Sequence, residues 1–433
     1  MYPSRMLPAF ANGALACVAV MLVAMCAYVG SARADDDDDD GPSRGLRVPS
    51  FGRIAPFLGN LPRLGQSRRS RPRARAEMVV IGLNVEERRE LERRGFRMSA
   101  SVNSALLRGD IARVEGPPGQ SLRGALRVVR LVATDVTAEG NDLYRRHTFS
   151  RYRAAGQPCG ERCEAFALTS WLPSLTRCST SSVIGIIDTQ VDATHQSLVG
   201  AKLTTKSMRR ADRSASDPAH GTGVVSLLVG QPGTAVVGIV PTARVLAADA
   251  FHRSRQSDTA DTFDLVASLD WLSESGAQII NMSLSGPANT VLEKAIDATL
   301  ARGIGIVAAA GRPEGKSMGY PARYNGVVAV SAVDMLLRPS RLSMRGSHVA
   351  FAAPGVGLTV AGARADLTKV DGTSFAVPFV TAALALQMGG GRSPADAAQS
   401  VTPAAKDLGA PGRDPIFGWG LVQYVNVPGC TTN

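Results

Sequence analysis

A serine hydroxyl is a weak nucleophile until a base stands within hydrogen-bond reach, and an imidazole fills that role best when a carboxylate fixes its tautomer. The sequence places one residue of each type at an element boundary. Asp188 closes the apolar run 183–187, His220 heads the stretch His220-Gly221-Thr222-Gly223, and Ser374 lies within Asp371-Gly372-Thr373-Ser374-Phe375. Each alone has a plainer use. Asp188 or Ser374 could cap the segment that follows, and His220 could make one local hydrogen bond. Histidine is scarce, however, with five in 433 residues, so one at a helix mouth is a selective feature. Together the three supply nucleophile, base and orienting carboxylate for acyl transfer. A helix opening at Ser374 also presents backbone N–H groups to developing negative charge.

Such groups need a scaffold that brings strand ends together. From Ser182 onward, apolar β-branched runs at 183–187, 243–248, 279–282, 305–309 and 327–330 alternate with helical stretches such as 262–275 and 290–302. Continuous apolar strands of this length belong in a parallel sheet covered on both faces. The expectation is therefore an α/β domain over residues 181–428, a doubly wound, mostly parallel sheet with helices on both faces. Reactive groups gather at its carboxyl strand ends. A smaller α+β unit is expected at 77–146. It comprises a strand at 78–83, a helix at 85–94 capped by Asn84 and stopped at Gly95, and an alternating stretch 105–114 turned at Gly109-Asp110. A second helix at 121–132, with Leu122, Ala125, Leu126, Val129 and Leu131 on its apolar face, precedes a last strand reaching about Tyr144. Residues 147–180 read as a cysteine-bearing connection. No internal repeat is evident.

The remaining N-terminal sequence has the character of export and solvation. Arg5 precedes an apolar stretch from 13 to 30, and Ala32-Arg33-Ala34 supplies a small-x-small cleavage pattern, so residues 1–34 read as a signal peptide, with an uncleaved anchor as the alternative. Residues 35–76 read as a disordered charged linker, with an acidic run at 35–40 and arginines at 63, 68, 69, 71, 73 and 75. Six of the arginines behind the formal charge of +11 thus fall in one short stretch of a solvated tail, and nucleic acid is not an expected partner. Of six cysteines, Cys17 and Cys26 fall in the signal. Cys159, Cys163, Cys178 and Cys430 remain and suggest two disulfides in an oxidising compartment, with three pairings open. No metal site and no cofactor is expected.

The segments Ile186-Ile187-Asp188-Thr189, His220-Gly221-Thr222-Gly223 and Gly372-Thr373-Ser374-Phe375-Ala376-Val377-Pro378 resemble, in order, the three active-site motifs of the subtilisin-like serine peptidases. Further stretches resemble that family's landmarks, among them 238–243, Tyr320-Pro321-Ala322-Arg323-Tyr324 and Ala352-Ala353-Pro354-Gly355. The resemblance covers roughly 160–426. It implies a serine endopeptidase acting on polypeptides, in which Ser374 attacks, His220 serves as base and then acid, and Asp188 orients it. It also implies that Ser283, Leu284, Ser285 and Gly286, facing Ala309 and Gly311, line the substrate cleft, with room for an apolar side chain before the scissile bond. The unit at 77–146 then resembles a prodomain, a partner of its own peptidase domain, with Arg145-Arg146 as a candidate cleavage site. Such a chain would be exported, periplasmic or extracellular, and membrane-bound only if the N-terminal segment stays uncleaved.

The sequence departs from the family at one chemically important place. Where the family carries an oxyanion-binding Asn after Ala-Ala-Gly, this chain reads Ala309-Ala310-Gly311-Arg312. Arginine is a strong donor and could replace the amide. Badly placed, it would block the site and leave a weak or inactive scaffold with a peptidase fold. A smaller departure is Ser197, which stands where many relatives carry a calcium-ligating Asp. The loop Gly230-Gln231-Pro232-Gly233 also lacks the acidic side chains a hard cation wants, so that calcium site is expected to be missing.

Overall fold

Asn84 begins the first helix as its side chain dictates. Its carboxamide oxygen accepts from the Glu87 N–H, while the Glu87 carboxylate accepts from the Asn84 N–H, both at 2.9 Å. The computed structural model describes residues 75–146, 149–153, 164–171, 176–254, 257–313, 318–364, 366–425, 428 and 430–432. The proposed signal peptide, nearly all of the charged linker, and Cys159 and Cys163 lie outside them.

The first elements are β1 (Glu77–Ile81), α1 (Val85–Arg93), β2 (Arg97–Ser104), β3 (Gly109–Glu115), α2 (Leu122–Val132) and β4 (Thr137–Gly140). The strands form an antiparallel sheet in the order β2-β3-β1-β4. Its two faces follow the period of two that strands impose. Met78, Val80, Ala112 and Val114 pack under Leu91, Ala125, Leu126 and Val129 of the sheet's own helices. Val79 and Ile111 instead join the apolar cluster of the larger domain. The expected turn at Gly109-Asp110 is displaced: Gly109 already pairs with Ser104, and the chain reverses through 105–108 with Arg108 at φ 53°. Tertiary contacts explain the shift. Leu106 is buried, and the Asp270 carboxylate accepts from both the Leu106 N–H and the Ser104 hydroxyl at 2.8 Å.

Next come β5 (Leu143–Arg145), β6 (Phe149–Arg153), α3 (Glu164–Leu168) and β7 (Thr176–Cys178). The span 147–180, expected to be a mere connection, is thus partly built into the larger fold. There β6 pairs with a late strand, and β7 pairs with β21 (Cys430–Thr432), where a disulfide joins Cys178 to Cys430. The last strand of the small unit also ends early, at Gly140. Tyr144 belongs to β5, which leaves that sheet altogether.

The larger domain runs through β8 (Ile184–Asp188), β9 (Lys202–Ser207), α4 (Ala219–Val229), β10 (Arg244–Asp249), β11 (Phe251–Arg253), β12 (Asp258–Asp261), α5 (Thr262–Glu274) and β13 (Ile279–Met282). It continues with β14 (Gly286–Pro287), α6 (Thr290–Ala301), β15 (Gly305–Ala309), β16 (Met318–Tyr320), β17 (Val328–Val333), β18 (Val349–Pro354), β19 (Val356–Ala361), β20 (Leu367–Asp371), α7 (Thr373–Met388) and α8 (Pro394–Val401). Seven parallel strands in the order β18-β17-β15-β13-β8-β10-β9 make the central sheet. Ile184 and Ile186 point to the layer of α4 and α7, Ile187 to the layer of α5 and α6. The expected doubly wound α/β architecture is therefore present.

The small unit sits on the N-terminal ends of α5 and α6: the segment after its sheet binds the free N–H groups of α5, which a buried helix end requires, and it also holds the Asn289 cap of α6. Asn141 accepts from the Phe263 N–H, the Asp142 carbonyl from the Thr262 N–H, and Asn289, the cap of α6, donates to the Gly140 carbonyl and the Asp142 carboxylate. At the centre, Arg113 of β3 is 1% exposed. Its Nη2 lies 2.8 Å from both Asp261 Oδ1 and Asp264 Oδ1, and its Cζ stands 4.5 Å above the centre of the Phe263 ring.

Candidate active site

Asp188 is the last residue of β8, in the middle of the sheet, while His220 and Ser374 are each the second residue of their helices, α4 and α7. The helix of His220 approaches the end of β8 closely. A β-carbon on Gly221 would lie 2.4 Å from the Thr189 carbonyl oxygen, and one on Gly223 would lie 2.8 Å from Val360. Only glycine permits that approach. The Gly221 N–H, one of the free donors of the first turn, is bound by the Thr189 hydroxyl at 2.8 Å.

His220 Nδ1 stands 2.6 Å from Asp188 Oδ1, and the Thr189 N–H donates to the same oxygen at 2.6 Å. An ionised carboxylate only accepts, so the proton of a neutral His220 sits on Nδ1 and Nε2 is left as the basic lone pair. Among the described residues, buried Nε2 has no hydrogen-bond partner. The Phe375 ring, one residue beyond Ser374, packs on the imidazole at a centroid distance of 5.1 Å. Ser374 itself is clamped to the strand end of β13. Its hydroxyl donates to the Ser283 carbonyl at 3.0 Å, and the Ser283 hydroxyl donates to the Ser374 carbonyl at 2.8 Å. Asn281 supports Ser283 from below, and Thr381 of α7 donates to Asn281. The structure thus joins His220 to Asp188 directly. Ser374 is turned toward Ser283 rather than bonded to His220. Gly372, at the cap of α7, offers no side chain to the first-turn N–H groups, that of Ser374 among them.

The other expected residues form the surrounding walls. Ser285 exchanges both backbone hydrogen bonds with Arg145, at 2.9 Å each. Gly286 faces the ring of Tyr144, where a β-carbon would meet Cδ1 at 2.4 Å, and Leu284 is buried in the same apolar cluster as that ring. The Tyr144 hydroxyl donates to the Pro287 carbonyl at 3.0 Å, and burial pushes its pKa above the ordinary tyrosine value. Gly311, at φ 84°, approaches Ser285, whose hydroxyl would lie 2.8 Å from any β-carbon there. Ala309 points into the core beneath α4 and α7 rather than lining a surface. Arg312 is half-buried on the loop after β15.

The cleft between these walls contains the chain itself, which sequence reasoning did not anticipate. On one side β5 pairs antiparallel with β12, and on the other it bridges to Ser285. Downstream, β6 pairs with β20, setting Phe149 opposite Asp371, three residues before Ser374. Tyr144 is fully buried and Arg145 is exposed, as alternation along a strand requires. The following residue, Arg146, donates to the buried Asp258 at 3.1 Å. Neither Asp258 nor its neighbour Asp217 belongs to a motif visible in the sequence, and only the strand pairing reveals them.

Comparison with known proteins gives the family and the fold. The model of the subtilase family matches residues 179–420. The chain is 33% identical to subtilisin DY of Bacillus licheniformis over 212 residues, which is 47% of this chain and 75% of that protein. It is 31% identical to a thermophilic serine proteinase of Bacillus sp. (strain AK1) over 264 residues, 60% of this chain and 64% of that one. Among solved structures, fervidolysin from Fervidobacterium pennivorans matches 82% of this chain and 61% of its own at a TM-score of 0.67 and 18% identity. The prenylagaramide maturation protease PagA matches 57% and 92% at a TM-score of 0.50 and 27% identity.

Proposed function

The chain belongs to the subtilase family, hence to the serine peptidases that hydrolyse polypeptides, and from that premise we propose that Asp188, His220 and Ser374 are its catalytic triad. The Asp188–His220 bond carries the reading, because it leaves a vacant basic Nε2 beside the opening turn of α7. Rotation of the Ser374 hydroxyl away from the Ser283 carbonyl brings its proton to that nitrogen. Ser374 Oγ then attacks the substrate carbonyl carbon, His220 takes the proton, and the carbonyl oxygen gains the negative charge beside the Ser374 N–H. Collapse of the adduct expels the amine, which leaves with the proton from His220. Water repeats the sequence in reverse and frees the acid. Asp188 holds the tautomer throughout and stabilises the imidazolium. Residues 1–34 act as an export signal in this reading, in keeping with similarity to the minor extracellular protease Epr of Bacillus subtilis (strain 168), 34% identical over 215 residues.

The elements β1 to β5 act as a prodomain whose end lies across the cleft as a first substrate. Arg145 pairs with Ser285. Moving two residues along an antiparallel register from Ser285 leads to Ser283, which touches Ser374, and on the other strand leads past Arg146. The bond attacked therefore lies between Arg146 and Phe149, not between Arg145 and Arg146. N-terminal sequencing of the processed protein tests this: the new terminus is residue 147, 148 or 149. A terminus at Arg146 contradicts it.

Arg312 takes the position of the missing oxyanion amide and serves as its donor. Arg312→Ala is expected to lower kcat about a hundred- to a thousandfold with little change in KM, the usual cost of one oxyanion donor. Arg312→Asn restores most of the rate. If Arg312→Asn instead raises an otherwise negligible rate, Arg312 silences the site and the scaffold reading replaces this one.

A further inference from the structure

We propose that Asp258 makes the cleft select a basic side chain, at the substrate position immediately after the residue that pairs with Ser285. The inference rests on the reading of Ser374 and of the occupied cleft given above, and it names the substrate feature that the site reads.

Asp258 is 3% exposed at the start of β12, the strand that forms one wall of the cleft. A carboxylate so placed needs a compensating charge and donors. Among its described residues the larger domain supplies little. The Asp217 N–H donates to Oδ2 at 3.1 Å, and Arg253 Nε lies 3.7 Å from Oδ1 on a side chain that is itself 56% exposed and shared with Asp217. Among the described residues the nearest cation is Arg146, whose Nη2 reaches Asp258 Oδ2 at 3.1 Å. Arg146 comes from the segment lying in the cleft, so its guanidinium stands where a substrate side chain would stand. Alternation decides which side chains are read: Arg145 points to solvent, while Tyr144 and Arg146, two apart, both turn toward the enzyme. Tyr144 is held by apolar packing, Arg146 by charge. When the segment departs, Asp258 is left lining the wall with, among the described residues, the mostly exposed Arg253 at 3.7 Å and one N–H. A neutral side chain in that place leaves the carboxylate without its close partner, whereas arginine or lysine replaces it.

The test uses protein that has matured from the full chain and synthetic peptides of residues 141–153 carrying Arg, Lys or Ala at position 146. The arginine peptide is expected to be cut with a kcat/KM about ten- to a hundredfold above the alanine peptide, as for a charge-assisted bond to a buried carboxylate, with lysine between them. In protein carrying Asp258→Asn, the arginine-to-alanine ratio is expected to fall to about threefold or less. The comparison of the three peptides in the unaltered protein does not depend on whether that variant folds. Equal rates for the arginine and alanine peptides in the unaltered protein overturn the selectivity while leaving the peptidase reading intact. A protein inert to all three peptides and to denatured casein overturns the peptidase reading, and the selectivity with it.

Discussion

The full chain carrying Ser374→Ala is expected to fold and to stay one uncut polypeptide, whereas the unaltered chain separates into two. Activity of the variant on any peptide should fall about a millionfold, a magnitude carried over from the corresponding serine of a subtilisin. The reason lies in how the residues depend on one another. His220 is oriented by Asp188 through a 2.6 Å contact and has no proton to take unless Ser374 supplies one. Removing the hydroxyl removes the nucleophile and leaves the base idle. The fold should be indifferent to the change. The lost Ser374 hydroxyl bond to the Ser283 carbonyl has a surviving reciprocal, from the Ser283 hydroxyl to the Ser374 carbonyl. An alanine variant cut at the same place and rate as the unaltered chain would mean that another protease does the cutting. Asp188→Asn should be less severe, about ten-thousandfold, since the imidazole is then held in the wrong tautomer rather than lost.

The second large effect concerns Arg113. Replacing it by alanine leaves Asp261 and Asp264 facing each other in a buried interface with their shared cation gone, and breaking such a buried pair costs about 3–5 kcal/mol. Lysine should rescue little, because one Nη2 of the guanidinium bridges both carboxylates while Cζ stacks on Phe263. Measured by thermal unfolding in a Ser374→Ala background, where self-cutting does not interfere, the loss should be pH-dependent. Burial first, and then the Asp261 charge, push the Asp264 carboxyl up from 3.8 to about 7. A carboxyl whose pKa is higher in the folded state holds its proton more tightly there. Its stabilising contribution is therefore full below 3.8 and is lost as pH rises through about 7. Without Arg113 the same carboxyl resists ionisation more strongly still, so the cost of Arg113→Ala should be larger at pH 8 than at pH 5. A loss below about 1 kcal/mol at both values would show that the cluster gives no net hold.

Much of this molecule was legible because two of its signals are local. Strands buried on both faces of a parallel sheet must be continuous apolar runs, so 183–187 and 279–282 showed themselves, with Asp188 at the end of the first and the motifs of His220 and Ser374 at helix starts. Asn84 marked the start of α1 for the same local reason. What escaped depends on pairing between distant segments. Glycine at 109 suggested a turn, yet the reversal occurs at 105–108 because Asp270, far along the chain, anchors Ser104 and Leu106. Tyr144 read as the edge of the small sheet, but its strand is claimed by β12 and Ser285. The cut proposed here therefore lies beyond Arg146 rather than at Arg145-Arg146. Asp258 was invisible for the same reason: nothing adjacent to it in sequence announces that an arginine more than a hundred positions upstream will rest on it.

The central claim is that Ser374 is an activated nucleophile, and reaction of the matured protein with a fluorophosphonate, followed by peptide mapping, addresses it most directly. The account predicts a single phosphonyl adduct on Ser374, absent from the Ser374→Ala protein and slowed in Asp188→Asn. Folded, matured protein that takes up no label, or takes it up at another serine, would contradict it.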